Sequence, residues 1–279
     1  MKKIEKISFY SRPSNEKVKI WQPKIETWLK ENYPDVSIVE KNPDAVIVLG
    51  GDGTTMEASR KFANEDTVIM VINLGQLGFL SSVNKPKDFP TILDSLFKGD
   101  YTAIPGMIIE AKVMRDGKEV FVTDAFNDIV VQSPLGIVEI NVVVREEVVE
   151  SIRGTGVLVA TPLGSTAYNL SAHGPIVSPD INCLVVTELF DHDIPSPSLV
   201  LPSTEIIKLT IENFREHKLL KLGSTDEPLD VLLIADGRAS FVLKQKDEIR
   251  ITRTANAFKL ASFESNHFFK SLRLKFGFK

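Results

Sequence analysis

The chain has 279 residues, 43% of them hydrophobic and 25% charged, and its 33 basic and 37 acidic side chains leave a net charge of −4. That length holds a full core and more than one domain, and the charge balance gives no general pull towards nucleic acid. No apolar run is long enough to span a bilayer, the basic start Met1-Lys2-Lys3 lacks a following apolar stretch, and the single cysteine, Cys183, rules out an internal disulfide framework, so a cytoplasmic chain without a membrane partner is expected.

Residues 4–10 read as a first strand, and residues 14–32 place Val18, Trp21, Ile25, Trp28 and Leu29 at helical spacing, with Pro23 a kink or a late start. Residues 45–49 are an unbroken apolar, β-branched run, the pattern of a buried parallel strand. A glycine turn follows, Gly50-Gly51-Asp52-Gly53-Thr54, and then a helix over 54–64 with Met56, Ala58, Ser59 and Phe62 on one face. Residues 68–72 form a third strand that runs into a second glycine-bearing turn, 75–80, and residues 87–98 give a helix closed by Gly99. Strands alternating with helices predict a Rossmann-like parallel sheet whose ligands sit at the carboxyl ends of its strands, where both glycine turns fall.

The pattern changes near residue 100. Short strands are predicted at 107–114, 119–123, 126–132, 137–144, 148–152, 156–160, 181–187, 206–212, 231–235, 239–244, 248–254 and 257–263, with Asp116-Gly117 as a hairpin turn. Such a series predicts an all-β domain of two packed sheets, interrupted by one short helix around 165–172. The expected fold is thus α/β followed by a β-sandwich, with domains at 1–100 and 101–264. The aromatic and basic tail, 265–279, is expected to pack back on the first domain.

Three stretches carry chemistry. The Gly50–Thr54 turn offers close backbone approach and a helix start, both suited to phosphate. A carboxylate at its centre is out of place in a bare anion nest, so Asp52 is read as a base, a metal ligand or a hydroxyl-orienting group. A second helix start follows Thr161-Pro162-Leu163-Gly164, capped by Ser165 or Thr166, with Tyr168 placed to stack or hydrogen-bond. Asn127-Asp128 lies inside an otherwise apolar strand, where a polar pair is costly unless it is satisfied or faces a cleft. There is no G-x-x-x-x-G-K-[ST] loop, and His173, His192, His217 and His267 lack metal-ligand spacing.

Together these pieces, with the 75–80 turn and the late Asp236-Gly237, resemble the NAD kinase family in order and over most of residues 40–265. The resemblance implies transfer of a phosphoryl group from ATP, or from polyphosphate in some members, to the 2′-hydroxyl of the adenosine ribose of NAD, giving NADP. It implies a site between an α/β domain and a β-sandwich, a divalent cation such as Mg²⁺, and assembly as a homodimer or homotetramer. Asp52 matches the catalytic aspartate, while Gly50, Gly51, Gly53 and Thr54 match the donor-phosphate loop. Asn127 and Asp128 match the pair that grips adenine and the ribose hydroxyls. Phe79 matches an aromatic of the pocket wall, and Thr166, Ala167, Tyr168, Asn169, Leu170 and Ser171 match the adenosine-lining segment. Arg153 matches a basic position near the diphosphate or nicotinamide.

Three positions depart from the family pattern. Thr155 stands where an aspartate is usual, Leu163 where a threonine is usual, and Arg238 where a glutamine is common. The first bears on how the nicotinamide end is held, and the last places an extra positive charge near a bound dinucleotide. A lipid kinase sharing the glycine–aspartate loop, and a dinucleotide sensor without turnover, are the competing readings. Asn127-Asp128 and the 161–171 segment suit a nucleoside rather than a lipid. The intact Gly50–Thr54 loop speaks against a pure sensor.

Overall fold

The computed structural model describes residues 3–62, 67–75, 78–83, 85–190, 196–217, 219–220, 228–264 and 266–277. Gln76 and Leu77 of the second glycine turn, His192, most of the loop expected at 223–228 and the last two residues of the tail lie outside them. The chain divides into two compact units, residues 1–106 with 256–279, and residues 107–255.

The first unit is organised on β1 (Lys6–Ser11), β2 (Ser37–Ile38), β3 (Ala45–Leu49) and β4 (Val68–Ile72), which lie in the order β2-β1-β3-β4 and pair in parallel. Every residue of β3 and β4 is buried, as expected for strands covered on both faces. The helices are α1 (Val18–Asn32), α2 (Asp52–Phe62) and α3 (Phe89–Lys98), the last preceded by a single 3₁₀ turn at Pro86–Asp88. Ile25 and Leu29 of α1 and Leu93 and Leu96 of α3 pack with Ile47, Leu49, Met70 and Ile72 into one core. Pro23 lies inside α1 rather than at its start, and Gly99 closes α3 with φ 81°. Helix α2 begins two residues before the expected start, so Asp52 is in its first turn rather than in the loop ahead of it.

The second unit carries β6 (Lys118–Ala125), β7 (Asp128–Gln132), β8 (Val138–Val144), β9 (Glu147–Gly154), β10 (Gly156–Ala160), β11 (Cys183–Leu189), β12 (Leu199–Pro202), β13 (Ile207–Phe214), β14 (Leu232–Ala235) and β15 (Arg238–Val242). It also holds most of β5 (Thr102–Arg115) and the first part of β16 (Glu248–Ser262). One of its sheets has the order β12-β11-β10-β7-β14-β15, antiparallel throughout. In the other, β16, β13, β8 and β9 pair in series, also antiparallel, and β5 pairs with β6 across the Asp116-Gly117 turn. Both residues of that turn have positive φ, 51° and 73°, the geometry that lets two residues join right-twisted strands.

The two sheets of this unit share one core: Val138, Ile140 and Val142 of β8 and Leu209 of β13 meet Ile129, Val131, Val157 and Val159 of β7 and β10. Strands β7, β10 and β11 have a second buried face, where Val130, Leu158, Ala160 and Val185 meet Val177. That second layer holds the segment after β10 in place. The strands expected at 248–254 and 257–263 are one continuous strand, β16, because residues 255 and 256 stay extended instead of turning. Strands β2 and β12 were not anticipated; the first is two residues long, and the second ends in a proline.

Candidate functional site

In the first unit, the turn after β3 is closed by the carbonyl of Gly51, which accepts the N–H groups of Thr54 and Thr55, each at 3.0 Å, and the Thr55 hydroxyl at 3.1 Å. This turn starts α2 and sets Asp52 in a helix N-terminal turn, the end at which the helix field favours a carboxylate. The carboxylate is then fixed by the second glycine turn: the N–H of Phe79 donates to Oδ2 at 3.0 Å, and that of Leu80 to Oδ1 at 3.2 Å. Such close approach depends on Gly78. A Cβ built there would lie 2.0 Å from Asp52 Oδ1. Each carboxylate oxygen thus accepts one backbone bond and keeps capacity for another partner.

Phe79 is covered by α5 (His267–Phe276), the last helix of the same unit. The Phe276 ring stacks on it at 6.0 Å between centroids, Phe268 lies at 6.3 Å, and Lys275 Nζ is 3.9 Å from the ring centre. The His267 side chain hydrogen-bonds the Phe79 backbone, and burial pulls its imidazole below the ordinary value, partly offset by Glu264 and Asp52. His267 therefore steadies the same residue whose N–H holds Asp52. Neither His267 nor Arg12, which lies against Gly53, was singled out from the sequence. The only sequence hint at Arg12 is a basic residue directly after a first parallel strand.

In the second unit, the chain segments singled out at 126–128, 161–164 and 236–237 come together. Asp236, at φ 49° in the β14–β15 turn, accepts the N–H groups of Phe126 and Asn127 at 3.1 and 2.8 Å, and its own N–H donates to the Asp128 carbonyl. The Thr161 hydroxyl donates to the Phe126 carbonyl at 2.6 Å and accepts the Gly164 N–H at 3.1 Å. Gly164 packs on the Asn127 carbonyl so closely that a Cβ would lie 2.0 Å from it. Asn127 precedes β7 rather than lying within it, and Asp128 is the strand's first residue. The side chain of Asp128 is buried, and its carboxyl is raised to about 7, by desolvation first and the neighbouring Asp236 charge second.

The helix expected at 165–172 is smaller than its sequence suggested: a 3₁₀ turn at Gly164–Thr166, a break at Ala167, then α4 (Tyr168–Ser171). Neither Ser165 nor Thr166 caps α4. The Ser165 hydroxyl donates to the Pro162 carbonyl and accepts the Val177 N–H, and Thr166 donates to the Leu163 carbonyl. Such hydroxyls bond nearby backbone groups as readily as they cap, and here the carbonyls three residues upstream take them. Asn169 is fully buried and uses its amide on the Ser165 and Pro175 carbonyls while accepting from Thr187. Tyr168 and Ser171 are exposed, and Leu170 is half-buried.

Arg153, on β9, pairs with Glu139 at 3.4 Å and lines a cavity of about 380 Å³ together with Phe214, Arg215 and His217. The Thr155 hydroxyl donates to the Leu189 carbonyl at 2.9 Å. Arg238 opens β15 and is exposed. Cys183 is buried at the start of β11, where desolvation pushes its thiol up. Among the described residues no group of three or more His, Cys, Asp or Glu side chains is placed to hold a metal ion, and no helix is long and apolar enough to cross a membrane.

Residues 2–101 match the family model for the ATP-NAD kinase N-terminal domain, and residues 126–263 match the model for its C-terminal domain. The chain belongs to the NAD kinase family. Among its relatives, the NAD kinase of Lachnoclostridium phytofermentans is 34% identical over 258 residues, 91% of this chain and 87% of that protein. The NAD kinase of Syntrophotalea carbinolica is 34% identical over 236 residues, covering 84% and 78%. Two solved structures share the fold. Yeast NADH kinase complexed with NADH aligns with a TM-score of 0.87 at 22% identity, over all of this chain and 89% of the other. An NAD kinase from Archaeoglobus fulgidus in complex with ATP gives 0.69 at 23%, over 98% and 97%.

Proposed function

We propose that this NAD kinase transfers the γ-phosphoryl group of ATP to the 2′-hydroxyl of the adenosine ribose of NAD with Asp52 as the residue that orients that hydroxyl. The observation that carries the assignment is the fixed Asp52 carboxylate at the start of α2, held by two backbone N–H groups of the second glycine turn. A carboxylate is a weak base towards an alcohol, so its larger contribution is to align the hydroxyl and to accept its proton late, as the loose phosphoryl-transfer transition state collapses. Gly50, Gly51, Gly53 and Thr54 provide backbone approach for the donor phosphates, making residues 1–100 with the tail the donor domain.

Residues 101–264, of which the structure gathers 107–255 into its second unit, then form the NAD domain. Asp128 accepts from the ribose hydroxyls and Asn127 contacts the adenine, with Phe79, Thr166, Ala167, Tyr168, Leu170 and Ser171 around the adenosine. Asn169, whose amide is spent internally, shapes that segment instead of contacting the ligand. Arg153 and Arg238 serve the diphosphate and nicotinamide end, where Thr155 offers a hydroxyl in place of a carboxylate. Mg²⁺ ordinarily keeps several waters and travels on the substrate's phosphates with one or two carboxylates, and the open capacity of Asp52 fits that mode. When bound it would neutralise charge on the transferring phosphoryl group. A cytoplasmic location fits the lone buried cysteine, and assembly as a homodimer or homotetramer follows the family.

Purified protein mixed with NAD, ATP and Mg²⁺, and read by an NADP-specific dehydrogenase, tests the activity. NADP is expected, and its absence refutes the assignment. Asp52→Asn is expected to cut turnover by several orders of magnitude while calorimetry shows NAD affinity nearly intact. A variant that loses NAD binding but keeps normal turnover per bound NAD refutes the role of Asp52.

A further inference from the structure

Arg12 follows directly on β1 and sits at the start of α2. Its guanidinium is gripped by Glu57 of that helix, Nε to Oε2 at 3.2 Å and Nη2 to Oε1 at 2.7 Å. Glu57 is in turn hydrogen-bonded by the Tyr10 side chain. The guanidinium also lies on the glycine loop, where a Cβ built at Gly53 would be 3.1 Å from Nη2. Glycine at 53 therefore leaves room for the arginine as well as for a ligand.

As a purely structural element this cation is poorly placed. Gly53 is in the first turn of α2, the positive end of the helix field, where a cation is disfavoured. The bases that suit the helix, Arg60 and Lys61, are in its last turn. The Arg12–Glu57 pair is exposed on both sides, 50% and 41%, the kind of ion pair that adds little to stability. What the arrangement does achieve is to set a planar, multi-donor cation against Gly53, over the first turn of α2. That combination suits a group with several anionic oxygens.

We propose that Arg12 is a donor-binding residue, which contacts the phosphate chain of the phosphoryl donor over Gly53, with Glu57 holding the guanidinium in place until the donor arrives. The proposal rests on the assignment of the Gly50–Thr54 loop to the donor. It adds a residue from β1 to a site otherwise built from the turns after β3 and β4.

The test measures ATP and tripolyphosphate binding by calorimetry, with Mg²⁺ present, alongside steady-state kinetics, for wild type, Arg12→Ala, Arg12→Lys and Glu57→Gln. Arg12→Ala is expected to weaken both ligands on the order of 10- to 100-fold, as for loss of a charge-assisted hydrogen bond, and to raise the KM for ATP alike while leaving the KM for NAD unchanged. Arg12→Lys is expected to recover part of the loss. Glu57→Gln breaks the same ion pair but keeps the guanidinium, and is expected to bind ATP no more weakly than wild type.

Equal weakening by Arg12→Ala and Glu57→Gln would reduce the pair to a scaffold and overturn the proposal. So would unchanged ATP affinity in Arg12→Ala, or a loss confined to ATP with tripolyphosphate unaffected. Wild-type protein that binds neither ligand also overturns it. Wild type that binds ATP but forms no NADP refutes the kinase assignment alone, because the binding comparison still reads the role of Arg12.

Discussion

Asp128→Asn separates the two consequences of burying a carboxyl beside another. In the folded protein this carboxyl titrates at about 7 against an ordinary 3.8, so between those values the native state keeps a proton that the unfolded chain has released. Stability then falls as pH rises through that window, and the whole loss is present above it. Roughly three units at 1.36 kcal/mol each make the full cost about 4 kcal/mol, of which about 3 kcal/mol accrues between pH 5 and pH 8. An asparagine of the same shape carries no such charge. Urea unfolding at the two pH values is the assay. The stability of the variant relative to wild type should rise by about 3 kcal/mol from pH 5 to pH 8. Parallel pH dependences for the two proteins would refute the reasoning. A ribose held by the ionised carboxylate requires the proton to leave, so wild-type NAD binding near pH 7 should release a proton, seen as a dependence of calorimetric enthalpy on buffer, and Asp128→Asn should abolish it.

Gly78→Ala places a methyl group 2.0 Å from the present position of Asp52 Oδ1, so the carboxylate must move. The expected result is a loss of turnover on the order of 10²-fold with little change in NAD affinity, and near-normal kinetics would show that Asp52 tolerates displacement. Arg115 forks onto the fully buried Asp247, Nε to Oδ1 at 2.8 Å and Nη2 to Oδ2 at 2.7 Å. Arg115→Ala should destabilise the second unit by about 3–5 kcal/mol in urea unfolding, because among the described residues it leaves that buried charge with the Lys244 N–H alone to answer it. Phe276→Ala removes the ring stacked on Phe79 and should raise hydrogen exchange at the Phe79 and Leu80 amides. Unchanged protection would show that α5 does not steady that turn.

Local signals carried far where the chemistry is local. The β-branched run of β3 and the Asp116-Gly117 turn each act within a few residues, the first visible as unbroken burial and the second as positive φ. Asp52 was legible because a carboxylate at the centre of a glycine turn suited to anions stands out in the sequence. The partners that fix it were not: its bonds come from Phe79 and Leu80, and nothing in either residue's identity reports a backbone N–H. The same holds for Asp236, whose carboxylate ties residues 126 and 127 from more than 100 positions away. Ser165 and Thr166 had the composition of caps, but nearer carbonyls took their hydroxyls. In β16 the break expected between 254 and 257 stays extended because strand partners on either side of it hold both ends.

The return of β16 to β4 also sets an order of events during synthesis. Val68 and Ile69 find their partners in Lys259 and Leu260, so one side of an entirely apolar strand waits for nearly the whole chain to be made. At ordinary ribosomal rates of 5–20 residues per second the wait is roughly 10–40 s. The second unit lies wholly inside that interval, at 107–255, and has all its strands available before the first unit can close its sheet. Meanwhile the free side of β4 offers unpaired backbone groups to any other nascent chain. The first unit is thus the last to finish, and its unfinished strand is where crowding and truncation would be felt.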